Sequence, residues 1–261
     1  MLIVAVTAAI WFVLSPHEPP MPVYEGRTLR QWLEAYSYYV TPDTRYNPSR
    51  YLLGQSDAEK AVHQIGTNAL PTLLSMAGHR YWFFYHLKLE RMAKEYLKLK
   101  RSPAVADHEL ARNGFKILGP IAKPSVPALI RLMDDRDFTV QITAIECLAY
   151  IGPDSEPAIP QLLQRLQQSN SVNVLQWSAT WALGAIHRRP NLVLSCLVGN
   201  LNSTNSLPGL GNVLRHNSIQ AVAEYGPQAK SAVPALLPFL ESPDLGTRKH
   251  ASNALARIRG Q

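Results

Sequence analysis

Apolar and polar positions along the chain fall into blocks that return with the same internal order. Residues 151–166, IGPDSEPAIPQLLQRL, and 225–240, YGPQAKSAVPALLPFL, both read glycine, proline, a polar stretch, then a second proline opening an apolar run. A shorter phrase, a small residue and two spaced apolar residues before glycine, ends at Gly66, Gly119, Gly152 and Gly226, with His187 and Arg259 in the glycine place elsewhere. The glycine predicts a helix stop, because a left-handed residue there costs glycine nothing. Pro120, Pro153 and Pro227 cannot continue the helix that has ended. Pro127, Pro160 and Pro234 sit where a new helix begins, since a first-turn N–H has no partner to lose. Leucines at helical spacing follow in ALIRLM, QLLQRL and ALLPFL.

Each block therefore predicts a short first helix, a polar turn such as DDRD at 134–137 or SPD at 242–244, and a second helix running to the next glycine. Two columns of small residues mark the second helices. One is Ala58, Ala111, Ala144, Ala179, Ser218 and Ala251, and the other is Ala61, Gly114, Cys147, Ala182, Ala221 and Ala254. Spaced i and i+3, they allow neighbouring helices to approach closely on one side. The pattern predicts an all-α, right-handed α-solenoid (superhelix) of stacked antiparallel helix pairs, about five to six in number. The interval between Gly66 and Gly119 holds about 20 residues more than the others, an insertion at about 79–104.

The stretches SVPALIRLMDDRDFTVQITAIECLAYIGP (125–153) and AVPALLPFLESPDLGTRKHASNALARIRG (232–260) resemble HEAT repeats, of the short bacterial kind also called phycobilisome-lyase-type. The resemblance covers about 57–261 and implies helix pairs with a protein-binding surface; it implies no reaction. Gln141 and Gln176 stand where such repeats often carry the arginine present at Arg215 and Arg248, Ser195 stands in the place of the first-helix proline, and a polar loop NSTNSLPGLGN enlarges the fifth unit. Ahead of the repeats, 23–56 reads as a capping region. Thr28 is placed to cap a helix whose apolar face is Leu29, Trp32, Leu33 and Tyr36, and a loop-like aromatic and prolyl stretch follows.

Composition narrows the class without naming an activity. With 46% hydrophobic and 17% charged residues the chain suits a packed body, and two distant cysteines, Cys147 and Cys196, form neither a disulfide framework nor a thiolate zinc site. The run MLIVAVTAAIWFVL opens an apolar segment over 1–15, short for a bilayer span and without the basic start of a signal peptide. It reads as a membrane anchor or export signal followed by a proline-rich linker at 16–22, which places the protein in a bacterial periplasm or cell envelope. The net charge of +7 concentrates in one segment, since 80–101 holds seven basic residues against two acidic ones.

That segment, RYWFFYHLKLERMAKEYLKLKR, predicts an amphipathic helix. Tyr85, Leu89, Met92, Tyr96 and Leu99 fall on one side, and Lys88, Arg91, Lys94, Lys98 and Arg101 gather opposite. Such a face suits anionic headgroups or phosphates, although an exported location argues against nucleic acid as the partner. No HExxH, nucleophile elbow, phosphate loop or dinucleotide fingerprint occurs, and no metal or cofactor is expected. Trp177 and Trp181 share a helical face, either as inter-repeat core or as a stacking platform. The candidate partner-binding line is His108, Gln141, Gln176, Arg215 and Arg248, one per second helix, with pairing inside each repeat as the competing reading. The expected function is a non-enzymatic scaffold, tethered or exported, presenting a curved surface to a protein partner. The alternatives are an anionic-surface binder through 80–101 and a phycobilin-lyase-like or other ligand-handling protein.

Overall fold

The second helices carry alanines and glycines where they meet, and this decides how the chain stacks. The computed structural model describes residues 20–40, 48–80, 103–167, 174–201 and 211–260. The N-terminal apolar run and nearly all of the basic segment, Lys88, Arg91, Lys94, Lys98 and Arg101 included, lie outside these residues. Six helix pairs succeed one another: α1 (Leu29–Val40) with α2 (Pro48–Ile65), α3 (Leu70–Ala77) with α4 (Pro103–Leu118), α5 (Val126–Leu132) with α6 (Phe138–Ile151), α7 (Ile159–Gln167) with α8 (Val174–Ile186), α9 (Pro190–Leu201) with α10 (Gly211–Glu224), and α11 (Val233–Leu236) with α12 (Leu245–Arg259). The fold is an all-α solenoid. Among the described residues no helix is long and apolar enough to cross a membrane.

A two-residue hairpin precedes the stack. Val23–Tyr24 (β1) pairs with Arg27–Thr28 (β2) around Glu25 and Gly26, both at positive φ, as a tight hairpin turn requires. Thr28 then caps α1 reciprocally: its Oγ1 accepts the Gln31 N–H at 3.3 Å, while Gln31 Oε1 accepts the Thr28 N–H at 2.8 Å. Leu29, Trp32, Leu33 and Tyr36 are all buried, as the apolar face predicts. Part of the stretch read as loop-like after this helix is helical, because α2 starts at Pro48. Proline at a helix start is favourable, and the apolar positions that follow extend the helix into the region read as cap. The first pair is thus a full unit of the stack.

The helix stops form as the glycines predict. Gly66, Gly119, Gly152, Gly226 and Gly260 all have positive φ, and the first four lead into 3-10 turns, Gly66–Ala69, Gly119–Ser125, Gly152–Ala158 and Gly226–Ala232. The fourth stop differs. His187 occupies the glycine place at φ 35° and Arg189 follows at φ 50°, a conformation that costs an L-residue with a Cβ about 1–2 kcal/mol. No 3-10 segment follows there, and α9 starts at once on Pro190, five residues ahead of Ser195 where the repeat pattern places its proline.

Both small columns are buried along the whole stack. Their neighbours touch at backbone distance: a Cβ added at Gly184 of α8 would stand 2.7 Å from the Ala221 Cα of α10. Cys147 fills its column place as a fully buried thiol, and Cys196 is half-buried. Two measurements of unfolding free energy check this account. His187→Gly should raise it by about 1 kcal/mol, by relieving the left-handed strain. Gly184→Ala should lower it by about 1–3 kcal/mol despite the better helix propensity of alanine, because backbone must move to admit the methyl group.

Candidate functional site

The last carbonyls of a helix have no intrahelical donor and must be satisfied from elsewhere. In the last four pairs a side chain of the second helix donates either to such a carbonyl, at Leu166 and Leu201, or to one in the turn just beyond the first helix, at Asp135, Ser242 and Pro243. Gln141 Nε2 donates to Asp135 O, Gln176 Nε2 to Leu166 O at 3.2 Å, Arg215 Nε to Leu201 O at 3.2 Å, and Arg248 Nη1 to Ser242 O and to Pro243 O at 3.1 Å. Arg215 also lies over the Phe239 ring, 5.4 Å from its centre. These are the residues expected to line a partner-facing row. His108 and Gln176 are buried and cannot present a surface. Gln141, Arg215 and Arg248 are half-buried, with their polar heads turned into their own repeats. Gln141, Gln176, Arg215 and Arg248 thus bond within their own repeats, as the competing reading of these positions expects.

His108 fills the same slot in the second pair. Neither of its ring nitrogens makes a hydrogen bond of normal geometry, although the His79 main chain lies near enough to favour the charged ring. Burial, and then the Arg112 guanidinium, hold its pKa below 6.5. Beside it Asp107, also buried, joins three elements: Arg30 of α1 donates to Oδ1, and His79 Nδ1 lies 2.6 Å from Oδ2. The DDRD turn is structural, as predicted. Asp137 caps α6 by accepting the Thr139 N–H at 2.8 Å, and Asp135 accepts from Arg80 at 2.9 Å.

The open chemistry lies on another row, two residues beyond the first small column. In the second and third pairs this row is engaged: Asn113 donates to Ser37 Oγ at 2.7 Å, and Glu146 pairs with Arg112 at 3.2 Å. In the last three pairs it carries Trp181, Gln220 and Asn253, which rim a groove of about 700 Å³ across α8, α10 and α12. Trp181 is 40% exposed and meets Tyr150 edge to face at 5.2 Å. Of the two tryptophans expected on one helical face, Trp181 is the exposed one, while Trp177 is half-buried with a buried, unpaired Nε1.

The groove floor is made of Gly184, Ala185, Ala221 and Ala254. Arg257 closes one side through a two-pronged ion pair with Glu224, at 2.7 and 2.8 Å. On the other side the His250 ring lies 4.7 Å from that of His216, tilted by 43°, its Nδ1 is 3.1 Å from Gln220 Nε2, and burial followed by the His216 charge lowers its pKa. His216 in turn contacts Asp244, the cap of α12, whose carboxyl is held down to about 2 chiefly by the Thr247 hydroxyl and N–H. Sequence reading missed Asn217, Gln220, His250 and Asn253. Their signal was available as a fixed offset from the small columns, which had been read only as packing. Among the described residues no group of three His, Cys, Asp or Glu side chains is placed to hold a metal ion.

Protonation sets a measurable limit on this region. For His108 and His250 the folded pKa lies below 6.5, so their contribution to stability is full above that pH and is lost as pH falls from 6.5 toward the lower folded values. In urea titrations at about pH 7.5 and about pH 5, His108→Leu should lose less stability on acidification than the parent chain, and should equal or exceed it at the higher pH.

No curated protein matches the chain. Among solved structures it is similar to an engineered protein from the Northeast Structural Genomics Consortium, at 18% identity over 89% of this chain and 96% of that one, with a TM-score of 0.46. It is also similar to a designed armadillo repeat protein in complex with the peptide (KR)4, at 16% identity over 88% and 99%, with a TM-score of 0.47. Residues 104–206 match the family model described as HEAT repeats, a stretch that runs from α4 past the end of α9.

Proposed function

We propose that the protein is a non-enzymatic scaffold that binds a protein partner along the exposed face of its second helices, in the groove rimmed by Trp181, Gln220 and Asn253. One observation carries this reading. The row that is tied up by half-buried contacts in the second and third pairs carries in the last three the exposed side chains Trp181, Gln220 and Asn253, of which Gln220 also meets His250. A half-exposed aromatic flanked by amides is the composition of an interface centre, where a few such side chains dominate the binding energy. The repeats hold them at fixed spacing, so binding requires little ordering of the scaffold. The apolar run 1–14 supports tethering at a membrane, which would concentrate the scaffold near envelope partners.

Site-specific photo-crosslinking in the full chain tests the reading. A photoreactive residue at position 253 should form adducts with a partner protein, whereas one at 192, on the exposed side of α9, should form few. Trp181→Ala should reduce the adducts at 253 by about tenfold while leaving helical content unchanged. Equal adducts at the two positions, or none at 253, would refute the groove as the binding face.

A further inference from the structure

We infer that the occupant of this groove is an uncharged, proline-rich segment in the polyproline II conformation. The inference rests on the scaffold reading and names the partner's chemistry. Trp181 of α8, Gln220 of α10 and Asn253 of α12 stand at the same register on successive helices, so the exposed position recurs from helix to helix and a ligand that touches all three must cross them. Packed helices stand roughly 8–10 Å apart, and the contact of Gly184 with the Ala221 backbone keeps this pair near the short end. A polyproline II helix turns once in about 9.3 Å, three residues at about 3.1 Å each, so the same ligand face returns at each protein helix. An extended β-type segment repeats its face every ~6.6 Å and an α-helix advances ~5.4 Å per turn; both fall out of step within three helices.

Hydrogen-bonding chemistry points the same way. A polyproline II segment makes no internal hydrogen bonds and its prolines have no N–H, so it offers carbonyl acceptors and needs donors. Asn217 and Asn253 have no side-chain hydrogen bond among the described residues, which leaves their amide N–H groups available. Trp181 is 40% exposed and lies at 79° to the Tyr150 ring, which leaves indole surface on which a proline ring can pack. Charge agrees as well. The charged side chains bordering the groove, Glu224 and Arg257, neutralise each other through two hydrogen bonds, so the groove matches a ligand without charge.

Fluorescence anisotropy with the full-length protein tests this. The probe is a labelled peptide of about nine residues, three repeats of Pro-Pro-Leu, and the control replaces each proline with glycine or serine in alternation. The Pro-Pro-Leu peptide should bind saturably and at least about tenfold more tightly than the control, because the control must be ordered on binding. Its affinity should change little between about 50 and about 500 mM salt, since no ion pair is made. Trp181→Ala should weaken it by about tenfold, Asn217→Ala with Asn253→Ala by several-fold, and Leu192→Ala not at all. Equal binding of the control, or binding indifferent to Trp181→Ala and to the double asparagine variant, would overturn the inference. Absence of probe binding alongside groove adducts at position 253 would overturn the ligand class alone. Absence of both would remove the scaffold reading with it.

Discussion

Neighbouring second helices meet through methyl groups and bare backbone, and the rest of the stack depends on how close that brings them. With Gly184 against Ala221 there is no side chain to separate α8 from α10, so the larger apolar residues are pushed to the first helices and to the sides of the contact. The leucines of the first helices fill the space that opens behind: Leu129, Leu162, Leu197 and Leu236 are all fully buried. Burying one such side chain stabilises by about 2 kcal/mol, yet it can do so only because the second helices have already fixed the depth of the layer. A single Cβ too many at the seam shifts a backbone, and with it the position of every side chain that the helix carries toward the groove.

Within each pair a different interaction closes the structure. The first helices are short, seven to nine residues in α5 and α7, and helices of that length are marginal alone. Gln141, Gln176, Arg215 and Arg248 donate hydrogen bonds to carbonyls at the end of the first helix or in the turn just beyond it, so the exit of each first helix is tied to its partner. Glutamine and arginine are interchangeable in this role because it demands reach and an N–H. This accounts for a column that changes charge along the stack without changing the geometry, and for Arg248 donating to carbonyls when a carboxylate, Asp244, lies one turn away.

The fold was legible because its rules are local: glycine at a stop, proline at a start, small residues where helices touch. The same rules misplace an element where a different residue solves the same problem. Pro190 opens α9 five residues ahead of the position held by the repeat's proline, and Pro48 begins a helix inside a stretch whose tyrosines and prolines look irregular. The groove was less legible than the fold. Gln176 and Asn253 are both amides on second helices, and only the angle around the helix separates a donor within the repeat from a rim residue. Assigning that angle needs the stacking direction, a property of neighbouring repeats that no single repeat encodes. Trp181 was ambiguous for the same reason: its exposure depends on Ala185 and Ala221 being too small to cover it.

The irregular stop at 187–189 is held by the unit that follows it. The Tyr225 hydroxyl, carried by the last turn before Gly226, donates to Leu183 O at 3.2 Å and to Arg188 O at 3.0 Å, and burial raises its pKa so that it stays a donor through the neutral range. Two residues in left-handed geometry are therefore pinned by a ring from the next repeat. The fourth and fifth units share one latch: the strained turn relaxes only when the fifth swings away, and the fifth cannot leave without taking the Tyr225 donor from the Arg188 carbonyl. Unzipping from the C-terminal end should pause before this point and then cross it in one step, making the solenoid a chain of unequal links.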